Sequence, residues 1–142
     1  MRITDVLRRK GDLVVTIQPQ DTVRALLDAL AEHKVGALVV AGAEGGVEGI
    51  VSERDVVRHL QARGAGVLEE PVSGIMTSPV HTAAPETTLE ELMVLMTQRR
   101  IRHVPVVVDD RLRGIISIGD VVKHRIEELQ SERDQLTAYI QQ

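Results

Sequence analysis

Two aspartates, Asp55 and Asp120, each stand three residues after a serine. Each serine closes a short aliphatic run opened by glycine, Gly49-Ile50-Val51-Ser52 in one case and Gly114-Ile115-Ile116-Ser117 in the other. A carboxylate can accept from both hydroxyls of a ribose, as the acidic residue of dinucleotide folds does. A serine beside free backbone N–H groups at a helix start suits a phosphate, and Arg54 adds a charge-assisted partner. The chemistry implied is the grip of a sugar phosphate rather than its turnover.

Such a grip needs a strand that runs straight into a helix. The β-branched runs read as ends of buried strands, and Ser-x-x-Asp reads as a helix start. The same spacing makes a capping box, which stabilises by about 1 kcal/mol and needs no ligand; in the empty protein both roles are compatible. Gly49 and Gly114 are expected to let backbone approach a ligand. Val39, Ile50, Val104 and Ile115 are expected to sandwich a flat base.

The two motifs belong to a longer internal repeat. Thr16, Pro19, Leu26 and Val35 match Thr82, Pro85, Leu92 and Ile101 at an offset of 66 residues. After one extra residue in the first turn the offset is 65, which carries Gly49, Ser52, Asp55 and His59 onto Gly114, Ser117, Asp120 and His124. The chain therefore divides into residues 1–70, 71–126 and a helical extension, 127–142.

Either half alone would bury a marginal core, and two copies packed together solve that. With 43% hydrophobic residues among 142 and mean hydropathy near zero, the composition is that of a soluble globular protein. No apolar run approaches the roughly 20 residues of a membrane helix, and residues 1–10 lack the apolar middle of a signal peptide. A cytoplasmic setting without membrane attachment is expected. Without cysteine there is no disulfide framework. A net charge of −4 and a single aromatic residue, Tyr139, argue against nucleic acid, which needs a basic field or stacking platforms.

Along the chain, Thr4 is expected to cap a helix over residues 5–9. A strand over 13–17 follows, then a Thr22-capped helix with Val23, Leu26, Leu27 and Leu30 on one face. Strands over 37–41 and 47–51 flank a glycine-rich turn, and a helix runs from Ser52 to Gly64. The second half repeats the plan: a one-turn helix over 71–76, a strand over 80–82, a Thr88-capped helix, a hairpin over 103–108 and 112–117 turning at Asp109-Asp110-Arg111, and a last helix from Gly119. Each half reads helix, strand, helix, strand, strand, helix. The fold class is α+β.

At this point the chain resembles a tandem CBS-domain pair, the regulatory unit also called a Bateman module, in the form of a stand-alone CBS-domain protein. The resemblance rests on the two G-x-x-S-x-x-D motifs, on Thr82-Ala83-Ala84-Pro85, on Arg102-His103-Val104-Pro105-Val106-Val107 and on Ile75-Met76-Thr77, and it covers residues 1–126. It implies a pseudo-two-fold module whose two small sheets pack together, with two clefts for adenine nucleotides such as AMP, ATP, NAD or S-adenosylmethionine. Carried over, Asp55 and Asp120 hold ribose hydroxyls, with Ser52 and Ser117 by ribose or phosphate. Thr16, Thr82 and the strands Ala37 to Val39 and His103 to Pro105 frame the base. The resemblance also implies a homodimer and a protein target, with no cofactor required.

Arg99, Arg100 and Arg102 are expected beside the second cleft, and Arg54 beside the first. The five histidines lack metal-ligand spacing such as H-x-x-x-H; His103, on a strand facing a cleft, is the one of interest. Met93 and Met96 read as core. No nucleophile–base pair, Walker loop or G-x-G-x-x-G is present, so the chain reads as a regulatory protein and not an enzyme. Beyond the second motif, Val122, Ile126, Leu129, Leu136 and Ile140 follow steps of four and three, with Arg133 at the missing position. That stripe is coiled-coil-like. It either packs on the module itself or joins a partner, and the alternative function is a ligand-independent interaction module acting through this helix.

Overall fold

The computed structural model describes residues 1–11 and 14–141. Helix α1 (Ile3–Lys10) leads to a two-residue strand β1 (Thr16–Ile17), α2 (Val23–His33), the antiparallel pair β2 (Ala37–Ala41) and β3 (Val47–Ser52), and α3 (Glu53–Arg63). Two 3-10 turns, Ala65–Glu69 and Val72–Gly74, cross to the second half. There α4 (Leu89–Arg99), β4 (His103–Val108), β5 (Arg111–Ser117) and α5 (Ile118–Ile140) follow. One sheet has the order β1-β2-β3, with β1 parallel to β2; the other is the hairpin β4-β5. The α+β class and the paired architecture are those expected.

Local signals explain most of the elements. Thr22 accepts from the Ala25 N–H at 3.1 Å, and Thr88 and Glu91 form a reciprocal capping box. Both α2 and α4 end in a left-handed residue, Lys34 and Arg100, each with φ of 55°. The hairpin turns on Asp109 and Asp110, both at positive φ, so Arg111 already belongs to β5 rather than to the turn.

Three expected elements differ. Helix α1 begins at Ile3 rather than after a Thr4 cap, because the second half meets its first amides: Ile3 and Thr4 donate to the carbonyls of Thr87 and Pro85. The strand expected over residues 13–17 is Thr16–Ile17, with Leu13 outside the described residues. The strand expected over 80–82 is replaced by a single parallel bridge, Ala83 to Val106. Ala83 donates to the Pro105 carbonyl and accepts from Val107, but Pro105, standing where the first half has Val39, has no N–H to extend the ladder.

Two cores result, and each crosses the sequence repeat. Ile3 and Val6 of α1 are buried with Leu89, Leu92, Met96, Val104, Val106, Ile116 and Val121 of the second half. Conversely Val72 and Ile75 complete the core of Val23, Leu26, Leu30, Leu38, Val40, Val51, Val56 and Val67. Each such side chain contributes about 1.5–3 kcal/mol on burial, so the exchanged segments hold the halves together. Equivalent backbone bridges, Arg2 to Thr88 and Thr22 to Pro71, mark the crossing points. Helix α5 docks through Val121 and His124, both buried, and through Arg125, whose guanidinium meets Glu90 of α4 at 3.1 Å.

Candidate functional site

Both motifs form the strand-to-helix junction that their residues predict. Ser52 caps α3 and Ser117 caps α5, each opposite the first residue of the neighbouring strand, Ala37 and His103. Asp55 Oδ2 accepts the Ser52 N–H at 2.8 Å and the Ser52 hydroxyl at 3.1 Å; Asp120 Oδ2 accepts the Ser117 N–H at 2.9 Å. The amides of Glu53 and Ile118 donate to the carbonyls of Gly36 and Arg102. What each junction keeps free, among the described residues, is the second carboxylate oxygen and the second helical N–H, that of Arg54 or Gly119.

Around the first junction lies a cleft of about 370 Å³ lined from both halves, within the roughly 300–1,000 Å³ of small-molecule sites. Ala37, Ile50, Ser52, Arg54 and Asp55 line it from the first half, Arg102 and His103 from the second. Thr77, Arg58 and Arg100 line it too, as do Gly36, Glu53 and Ile101. Arg58 carried no signal in the motif, although it is one helical turn beyond Arg54 on the same face; Thr77 belonged to the Ile75-Met76-Thr77 signal but was given no place in the site. Arg100 and Arg102, expected beside the second cleft, stand in the first, because the chain entering β4 lies across from the start of α3.

The second junction is met by the chain itself. Lys10, in the last turn of α1, places its ammonium 2.7 Å from Asp120 Oδ2 and 2.8 Å from the Ile115 carbonyl. In the first half the equivalent carbonyl, Ile50, accepts the backbone N–H of Thr77 at 2.8 Å. The glycines serve these segments. A Cβ on Gly49 would stand 2.6 Å from Met76 Sδ and 3.0 Å from the Thr77 carbonyl, and one on Gly114 would collide with Leu7 Cδ2. Their missing side chains admit the crossing segments, not a ligand as the sequence suggested.

The proposed base sandwich also needs correction. Val39 and Val104 are fully buried and Pro105 is buried beside them in β4, so none of the three presents surface to a base; Ile50, half-exposed, does line the first cleft. Thr16 and Thr82 are exposed, outside the lining of that cleft.

His103 stands between the junctions, its Cε1 3.9 Å from where a Gly36 Cβ would be. Burial holds its pKa below the ordinary imidazole value, Lys10 and Arg102 push the same way, and Asp120 and Glu53 oppose them. For Asp120 burial works upward, but hydrogen bonds from Lys10 and Ser117 outweigh it and the carboxyl is held below the usual range.

The family model described as CBS domain matches residues 4–62 and again 72–127. The chain belongs to the CBS-domain family. It is 38% identical, over 98% of its length and 71% of the relative's, to CBS domain-containing protein CBSX3, mitochondrial, of Arabidopsis thaliana. Among solved structures it resembles the CBS-domain containing protein ATU1752 of Agrobacterium tumefaciens, at 46% identity and a TM-score of 0.85, covering 87% of this chain and 92% of that one. It also resembles the CBS domain protein PAE2072 of Pyrobaculum aerophilum, solved complexed with AMP, at 28% identity and a TM-score of 0.75, covering 84% and 89%. Within this CBS pair the two junctions are chemically unequal: one opens on a cleft shared by both CBS units, the other holds a lysine of its own chain.

Proposed function

We propose that this CBS pair is a regulatory module that binds an adenine nucleotide of the AMP, ATP or NAD type in its first cleft and passes its state to a protein target. The observation that carries the reading is the free Asp55 oxygen and Arg54 N–H opening into a cleft lined by both halves. The AMP complex of PAE2072 supports it. Asp55 takes the ribose hydroxyls, Ser52 and the start of α3 take phosphate, and Ala37, Ile50 and His103 border the base. At the second junction Lys10 occupies the place of a ligand, so Asp120 and Ser117 are silent while α1 stays docked. A ligand touching both halves favours one relative arrangement over others, and that population shift is the signal. The module is regulatory rather than enzymatic, and cytoplasmic, although the Arabidopsis relative carries mitochondrial in its name.

Calorimetry with AMP, ATP and NAD tests the assignment. Asp55→Ala lowers affinity by at least about tenfold, equivalent to 1.4 kcal/mol, and Asp120→Ala leaves it unchanged. Equal loss in both variants, or in neither, refutes the single-cleft reading.

A second reading, an interaction module acting through α5, draws on one observation. Val122, Ile126, Leu129, Leu136 and Ile140 are 47–77% exposed, so the stripe does not pack on its own module. Its 3–4 spacing is self-complementary, which makes a second copy of the chain the proposed occupant. Sedimentation separates the cases: Ile126→Glu with Leu136→Glu yields a monomer that still binds nucleotide. With one tyrosine and no tryptophan, the protein absorbs so weakly that co-purified nucleotide would dominate its ultraviolet spectrum. A clean preparation silent in thermal-shift screening favours the interaction role.

A further inference from the structure

The chain carries a net charge of −4, yet four arginines converge on the first cleft. Arg54 and Arg58 come from the opening turns of α3, Arg100 and Arg102 from the segment between α4 and β4. Among the described residues none of the four is in an ion pair, whereas Arg9, Arg24, Arg63 and Arg125 all are. Against them in the cleft stand two carboxylates, Glu53 and Asp55, and Asp55 is engaged with Ser52. Guanidinia unpaired at a concave surface raise the local concentration of anions and hold phosphate by paired hydrogen bonds.

The distribution says how much phosphate. Each half supplies one pair, and a phosphate monoester carries roughly −1.5 to −2 charges near neutrality, which one pair matches. Balancing the charge of both pairs takes an anion with more phosphates. We propose that the first cleft is built for an adenosine ligand bearing a chain of two or more phosphates, whose charge Arg54 and Arg58 of the first half and Arg100 and Arg102 of the second balance together. This rests on the reading of that cleft as the nucleotide site and adds which nucleotide it favours. A monophosphate balances the charge of one pair only; a diphosphate or triphosphate balances both and ties the two halves together. Phosphate number then becomes the quantity sensed, and an adenosine carrying a sulfonium cation is repelled.

Calorimetry on the full chain decides it, using AMP, ADP, ATP, S-adenosylmethionine and inorganic tripolyphosphate against wild type, the Arg54→Gln/Arg58→Gln pair and the Arg100→Gln/Arg102→Gln pair. All four side chains are exposed, so both double variants are expected to melt as the wild type does. Affinity should rise at least about tenfold from AMP to ATP, more steeply at low salt, and S-adenosylmethionine should bind more weakly than AMP. Either double variant should abolish the rise. Equal affinities for AMP and ATP, or a rise that survives loss of either pair, overturn the proposal while leaving an Asp55-dependent AMP site intact. Tripolyphosphate binding that needs both pairs, with no adenosine compound bound, refutes the ribose reading instead and keeps the arginines as a phosphate-chain site.

Discussion

Lys10 Nζ lies 2.7 Å from Asp120 Oδ2, 110 residues away in the chain, and this one contact makes the two motifs unequal. Among the described residues Asp55 has no counterpart to it, since the segment equivalent to the end of α1 meets Ile50 through the backbone of Thr77. The Lys10 side chain is 36% exposed, so the pair adds at most about 1 kcal/mol to stability. Its consequence is for occupancy.

Lys10→Ala should therefore free the second junction at small cost in melting temperature. Titration of the wild type with nucleotide is expected to show one site per chain, and the variant two, with Asp120→Ala removing the second. A wild type that already binds two would mean that nucleotide displaces Lys10 unaided.

Alanine at the motif glycines should act on stability. Gly49→Ala meets both Met76 and the backbone carbonyl of Thr77, the latter at 3.0 Å, whereas Gly114→Ala meets the flexible end of Leu7. Overpacking costs typically about 1–3 kcal/mol, and denaturant unfolding should place Gly49→Ala at the upper end and Gly114→Ala at the lower.

Arg100 and Lys34 hold the same left-handed conformation, φ 55°, which costs a non-glycine residue roughly 1–2 kcal/mol. Glycine at either position should raise stability or leave it level. Nucleotide affinity should fall for Arg100→Gly and hold for Lys34→Gly, because Arg100 lines the first cleft and Lys34 does not.

Acidification should destabilise the protein in two steps. His103 titrates below its ordinary 6.5 in the folded state, so as pH drops below that value the unfolded chain takes up the proton first and stability falls until the folded value is reached. Asp120, held below 3.8, contributes stability above that pH and loses it as pH falls through its folded value. Melting curves between about pH 7.5 and 5.5 should show a smaller decline for His103→Gln than for wild type.

Local signals made much of the molecule legible. The Ser52–Asp55 and Ser117–Asp120 spacings specify a strand-to-helix junction because a cap and its third residue meet within one turn, and the 66-residue repeat announced a doubled α+β unit. Thr22, Thr88 and the Asp109-Asp110 turn likewise act within a few residues of themselves. What they hold is decided at longer range. The side chains facing each junction come from the opposite half: Arg100, Arg102 and His103 reach the first, and Lys10 reaches the second from the far end of the chain. A repeat in sequence states equivalence. Only the packing of the two cores, with α1 exchanged onto one and Val72 and Ile75 onto the other, decided that one junction would open on solvent and the other close on a lysine, because contacts between residues distant in the chain depend on how the halves dock and leave no periodicity to read.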